Sequence, residues 1–230
     1  MSIDAVYNIG PHPGPELRYS LRTLKNLPSV GKVWVMSPTP LPKWLQNVEW
    51  IQREHEDKWM GLHYSFIQMC QDERLTPKVY LMEDDHFVLR PQKKLPNYYN
   101  GTLVDACFNR PKTSGEWGAI LANTLGVLTR AGVKEPLYFE THIPMLINRK
   151  KAPVHLDEGI PVRWPNVYGN MVQKGAAVKH VNVKAVTNID LVQLLRLNTD
   201  FLSSLDSTFK LANVQMALEL LFPKKSRYER

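Results

Sequence analysis

The chain has 230 residues, 43% of them hydrophobic and 22% charged, with 29 Lys/Arg against 22 Asp/Glu and a formal charge of +7. That is enough apolar material to bury a core, which excludes a chiefly disordered chain. No run of about 18 apolar residues free of charge occurs, so no membrane partner is expected. Asp4 stands where a secretory leader needs basic residues, and the chain reads as cytoplasmic. Cys70 and Cys107, far apart, exclude a disulfide framework and a cysteine-based zinc site, and read as small buried hydrophobes.

The first half alternates strands and helices. AVYNI is a short apolar strand ended by Gly10, Pro11, Pro13, Gly14 and Pro15, all loop formers. A helix follows from Pro15, where proline is tolerated in the first turn and Leu17, Leu21 and Leu24 recur at helical spacing. KVWVMS is the second strand, closed by PTPLP, and a brief helix around KWLQ leads to a third strand, VEWIQ. Lys58 to Glu73 reads as a helix with Trp59, Leu62, Phe66 and Met69 as its apolar stripe, and VYLM as a fourth strand. This order predicts an α/β fold, a mostly parallel sheet flanked by helices, with ligands at the carboxyl ends of the strands.

Beyond residue 115 the pattern is irregular. A helix is expected from Trp117 to about Arg130, ended by Gly132, then a strand over LYFE. A loop-rich stretch with Pro153, Pro161 and Pro165 leads to VYGN, a strand near VKHVNV and an amphipathic helix from about Leu211 to Leu221. No internal repeat or Gly/Ser-rich linker divides the chain, so residues 1–230 read as one domain.

Two strand ends are chemically marked: Asn8 and Gly10 after the first strand, and Glu83-Asp84-Asp85 after the fourth. Three consecutive acids repel one another. A divalent cation relieves that repulsion, and carboxylate oxygens suit Mg²⁺, Mn²⁺ or Ca²⁺. Strand alternation places Glu83 and Asp85 on one side as metal ligands and Asp84 on the other. A bound Mg²⁺ that completes its shell with water and phosphate suits a nucleotide diphosphate; a solvated acidic turn is the alternative.

Arg18 and Arg22, four residues apart, can reach one anion together, or can form a solvated stripe with Glu16. Lys58 opens a helix beside the ligand edge, as a phosphate ligand or a plain surface lysine. Glu140 and His142 combine a carboxylate and an imidazole at a strand end, where the imidazole is a natural acceptor of a hydroxyl proton or else a structural histidine. His12, His55, His63, His86, His155 and His180 have no readable partner spacing. The absence of GxGxxG, Walker, GxSxG and HExxH motifs leaves dehydrogenase, P-loop kinase, serine hydrolase and zincin readings without support. The basic surplus lies mainly in residues 116–230, where Arg149, Lys150, Lys151, Arg163 and Lys174 favour a polyanionic partner.

Glu16 to Leu24, ELRYSLRTL, resembles the "ELRYSLRSL" element of the Stealth family of sugar-phosphate transferases, and Val79 to Pro91, VYLMEDDHFVLRP, resembles that family's later "YLNDDVFLGRP" element. The wider resemblance is to nucleotide-sugar glycosyltransferases of the GT-A kind. ETHIPM, VYGN, FLSSLDSTF and FPKKSRYE are similar to small bacteriophage proteins labelled glycosyltransferases. Two departures stand out: DAVYNIGPHPG replaces the Stealth opening "DIVYTWVDG", and Glu-Asp-Asp replaces Asn-Asp-Asp.

This resemblance implies a GT-A-like fold in which residues 1–115 bind a nucleotide-sugar, a UDP-sugar for preference, and residues 116–230 face the acceptor. Asn8, Gly10, Arg18, Arg22, Lys58 and Asp84 would bind the donor. Glu83 and Asp85 would hold Mg²⁺ or Mn²⁺, and Asp85, Glu140 and His142 would be catalytic. The phage likeness and the basic second half together suggest hydroxymethylated pyrimidine in double-stranded DNA as acceptor, within a host cytoplasm. Arg149, Lys150, Lys151, Arg163 and Lys174 would then track its phosphates. Hexose or hexose-phosphate transfer to a surface glycan is the alternative, and a non-catalytic DNA-binding protein on the same scaffold is another. A metal-dependent nuclease is disfavoured, because the acids lack a closely spaced lysine.

Overall fold

Strand β1 (Ile3–Asn8) is apolar on both faces because both are covered: Ala5, Val6 and Tyr7 are fully buried. It pairs in parallel with β2 (Val30–Ser37) and β4 (Lys78–Met82), and β2 pairs in parallel with β3 (Glu49–Gln52). An antiparallel edge strand, β7 (Met145–Asn148), completes the order β3-β2-β1-β4-β7. The fold is therefore α/β with a mostly parallel five-stranded sheet. The computed structural model describes residues 2–11, 13–55, 57–108, 115–180, 183–185, 187, 190–197 and 199–230. His12 and residues 181–182 of the VKHVNV segment lie outside them.

Period-two alternation sorts the two cores. Ala5, Tyr7, Val33 and Val35 face α1 (Glu16–Thr23), which offers Leu17 and Leu21. Val6, Trp34, Met36 and Val79 face α2 (Lys58–Gln71), α3 (Leu103–Phe108), α4 (Gly115–Arg130) and α5 (Trp164–Tyr168). Asp57 caps α2 by accepting hydrogen bonds from the amides of Trp59 and Met60. The short pairs β5 (Phe87–Val88) with β10 (Phe201–Ser204), β10 with β9 (Lys184–Ala185), and β6 (Tyr98–Tyr99) with β8 (Val178–Lys179) carry the irregular second half. An outer layer of α6 (Leu191–Leu197), α7 (Asp206–Phe209) and α8 (Ala212–Leu221) packs Leu194, Phe209, Val214 and Leu218 around Tyr19 of α1. Among the described residues, no helix is long and apolar enough to cross a membrane.

Three local expectations are corrected. KWLQ forms no helix; Leu45 instead makes a single antiparallel bridge to Glu229. LYFE forms no strand, because the amides of Leu137 and Phe139 donate to the side chains of Asn170 and Asn166 rather than to a sheet. The edge strand lies at Met145–Asn148 instead. Third, alternation stops at Met82: the chain turns there, with the His86 amide donating to Glu83 O at 3.2 Å. Glu83 and Asp85 therefore point at different partners.

Candidate functional site

The turn after β4 sits at the carboxyl end of the parallel strands, where a sheet of this kind leaves a crevice. Glu83 extends toward Arg163, which immediately precedes α5, with Oε1 accepting from Nη2 at 3.0 Å. The same guanidinium grips Glu140 with two bonds, Nε to Oε1 at 3.0 Å and Nη2 to Oε2 at 2.8 Å. Asn166, one turn further along α5, donates to Glu140 Oε1 at 3.1 Å. Asp85 turns the other way. Its Oδ2 accepts from Lys184 Nζ of β9 at 3.1 Å and from Ser203 Oγ of β10 at 2.6 Å.

Two imidazoles complete the cluster. His86 Nδ1 accepts the Glu83 amide at 3.2 Å, and its Nε2 lies 3.9 Å from Glu83 Oε2. His142 adopts a left-handed backbone conformation, φ 52°, which swings its ring toward the acidic turn. Ligand atoms of Glu83, His86 and His142 all lie within 4.8 Å of one another. The three residues share a small cavity of about 40 Å³ with Tyr98, Met145 and Arg163.

The electrostatics follow from burial and pairing. Burial works against the Glu83 charge, but Arg163 outweighs it and holds the carboxyl well below its ordinary range. Burial, reinforced by Lys184, pushes the His142 imidazole down to about 4. Burial lowers His86 too, so both rings are neutral near pH 7 and keep a lone pair. Among the described residues, Asp84 forms no ion pair. Burial first, then the charges of Asp85, Glu83, Glu16 and Asp206, lift it to about 7.

One carboxylate and two neutral imidazoles form a mixed oxygen–nitrogen donor set. That set suits Mn²⁺ or Zn²⁺ better than Mg²⁺, which prefers oxygen throughout. His86 would have to move its ring proton to Nδ1 and release the Glu83 amide. Asp85 is turned toward Lys184 and Ser203, so its Oδ2 is a poorer ligand than the sequence spacing implies.

No protein-family model matches the chain, and no curated protein matches it. Among solved structures it is similar to the glycosyltransferase GlyE of Streptococcus pneumoniae TIGR4, with a TM-score of 0.37 and 12% identity over 78% of this chain and 45% of that one. The apo form of GlyE gives a TM-score of 0.31 and 14% identity over 97% of this chain and 51% of that one. The chain thus spans about half the length of the structures it matches.

The other sequence candidates are dispersed. Asn8, buried, and Gly10, exposed, end β1 at the same sheet edge. Arg18 and Arg22 do share one anion, and it belongs to this chain: Glu229, 3.6 Å from Arg18 and bound twice by Arg22 at 3.0 Å. Arg22 also bonds Glu219 and Phe222 O, while Arg18 lies 4.0 Å over the Trp44 ring. Lys58 is exposed on the first turn of α2, 4.9 Å over Trp59.

Of the five basic residues expected along DNA, Lys150 and Lys151 are exposed. Arg149 donates to the carbonyls of Met69, Cys70, Leu75 and Thr76 and so closes the carboxyl end of α2. Lys174 donates to the carbonyls of Lys134 and Glu135, and Arg163 lies inside the acidic cluster. Sequence reasoning missed His86, Lys184 and Ser203 as members of the cluster, and placed Arg163 elsewhere. His86 adjoins the acidic triplet and meets Glu83 three residues away, whereas Arg163, Lys184 and Ser203 reach the cluster through long-range contacts that no local pattern marks.

Proposed function

We propose that the protein is a glycosyltransferase using a nucleotide-sugar donor, with its reacting groups at the carboxyl edge of the sheet. One observation carries this reading. Glu83, Asp85, Glu140, His142, Arg163 and Lys184 come from four separate stretches into one cluster, where three carboxylates share two fixed cations. The Stealth-like element Val79 to Pro91, with its GT-A-like acids, falls on the same turn and supports it, while the element Glu16 to Leu24 forms α1.

Glu83, His86 and His142 would hold the metal, which when bound supplies positive charge for the departing nucleoside diphosphate. Arg163 and Lys184 add fixed positive charge beside the same point. His142 has a single lone pair and gives it to the metal in this arrangement, so its part is to hold the ion beside the cavity that an acceptor hydroxyl would enter rather than to take the proton. Glu140 has its oxygens occupied by Arg163 and Asn166, so its part is to hold Arg163 in place. Hydroxymethylated duplex DNA and a surface glycan are the acceptors to compare. Lys150 and Lys151 are the exposed part of the basic segment that a polyanion would meet.

Thermal unfolding against a panel of nucleotide-sugars, with and without Mn²⁺ or Mg²⁺, tests the donor. A ligand at 100 times its Kd stabilises the native state by about 2.7 kcal/mol. A metal-dependent rise in Tm with one nucleotide-sugar is expected, followed by a product of increased mass with one of the acceptors. No response to any nucleotide-sugar, beside a clear response to plain DNA, would replace the transferase with a DNA-binding protein.

A further inference from the structure

Other arginines of this protein that are wholly or partly buried are well met. Arg163 has two carboxylates, Arg22 two carboxylates and a carbonyl, and Arg149 four carbonyls. Arg53 is the exception. It follows β3 directly, its amide donating to Ser37 O at 3.0 Å, which places it on the same carboxyl edge as Asn8 and the acidic turn. The residue is 3% exposed. Its guanidinium packs on Gly61 of α2, where an added Cβ would lie 2.8 Å from Cζ and 2.9 Å from Nε.

For a group that cannot lose its proton, its company is thin. Nη1 donates to Asn8 Oδ1 at a long 3.4 Å, and the buried Nε has no acceptor. Among the described residues, no carboxylate oxygen lies within 4.0 Å of it. Asp57 supplies the compensating field, but its Oδ1 already accepts the Trp59 and Met60 amides. A buried cation without a counter-ion is among the costlier arrangements a fold can hold. Arg53 also walls an open groove of about 470 Å³ along α2, beside Tyr64, Gln68, the carboxylate of Glu54 and the Asp72–Arg74 ion pair.

We propose that Arg53, held by Asn8 from outside the groove, is an oxyanion subsite that binds a phosphate group entering from this groove. A fixed guanidinium fork with open donor capacity matches two phosphate oxygens. The phosphate belongs either to a nucleotide or to the free ion. The subsite stands whether or not the transferase reading holds, because inorganic phosphate tests it alone.

The experiment is thermal unfolding in sodium phosphate against sodium chloride at matched ionic strength, with uridine diphosphate and uridine as further arms. The wild type is expected to show a saturating rise in Tm with phosphate, and none with uridine. Arg53→Met should weaken the apparent phosphate affinity at least tenfold, while Lys43→Ala, which removes an exposed cation, keeps it. Asn8→Asp sets a carboxylate against the guanidinium; it should raise Tm in chloride and abolish the phosphate response. If Arg53→Met does not fold, Asn8→Asp decides. A uridine diphosphate response at tenfold lower concentration assigns the anion to a nucleotide, and equal concentrations assign it to free phosphate; both support the subsite. A wild type without a saturable phosphate response, or an unchanged response in Asn8→Asp, overturns it.

Discussion

Glu140 and Arg163 form a two-bonded ion pair in which both side chains are buried, 23 residues apart in sequence. Arg163 also reaches Glu83, so one guanidinium ties the acidic turn to the 139–142 segment and to the start of α5. Glu140→Gln keeps the shape and removes the charge. Breaking a buried pair while leaving its partner charged costs about 3–5 kcal/mol. Urea unfolding should show the lower end of that range, because Glu83 still faces Arg163. A loss under about 1 kcal/mol would mean that the pair is not formed in solution.

Metal binding separates the two possible ligand sets. Titration with Mn²⁺ or Zn²⁺ in the absence of any nucleotide should raise the Tm of the wild type and of Asp85→Asn. Glu83→Gln and His142→Ala should lose that response. The opposite ranking, with Asp85→Asn silent and His142→Ala intact, would return the site to the Glu83/Asp85 pair expected from spacing.

His63 should make the fold sensitive to acid. Its ring is fully buried, Nδ1 accepts the Val162 amide at 3.2 Å, and Nε2 lies 2.8 Å from Asp157. Burial lowers its affinity for a proton, against the opposing pull of Asp157. With the folded pKa below the ordinary 6.5, the unfolded chain binds more protons just below that pH. Stability is therefore fully present above about pH 6.5 and declines as the pH falls through it. His63→Gln should flatten the Tm profile between about pH 7 and 5; an unchanged slope would assign the acid sensitivity to other groups.

Gly169 lies where the end of α5 passes over the Phe139 ring, and an added Cβ would stand 2.4 Å from two ring carbons. Gly169→Ala should destabilise by about 1–3 kcal/mol through overpacking, measured by urea unfolding. Phe139 adjoins Glu140, so the same variant should also weaken metal binding. Wild-type stability in Gly169→Ala would show that the segment relaxes freely.

The parallel sheet and its first two helices were legible because their signals are local. AVYNI, KVWVMS and VYLM are apolar runs ended by turn formers, and Leu17, Leu21 and Leu24 mark one helix face. The same periodicity placed Glu83-Asp84-Asp85 at a strand end, correctly, on the carboxyl edge. It misled at LYFE, where Asn166 and Asn170 take the amides that a strand would use.

What sequence alone determined is the succession of buried strands and the position of the acidic turn, since burial on both faces writes a continuous apolar run, and burial on one face a period of two or 3.6, into neighbouring residues. Tertiary structure alone decided which charge meets which. Arg163 lies 80 residues from Glu83, Lys184 lies 99 from Asp85, and Ser203 lies 118 from Asp85. A charge far along the chain carries no periodic signature of its partner, and only the packing of α5, β9 and β10 against the sheet edge gives Glu83 and Asp85 their cations.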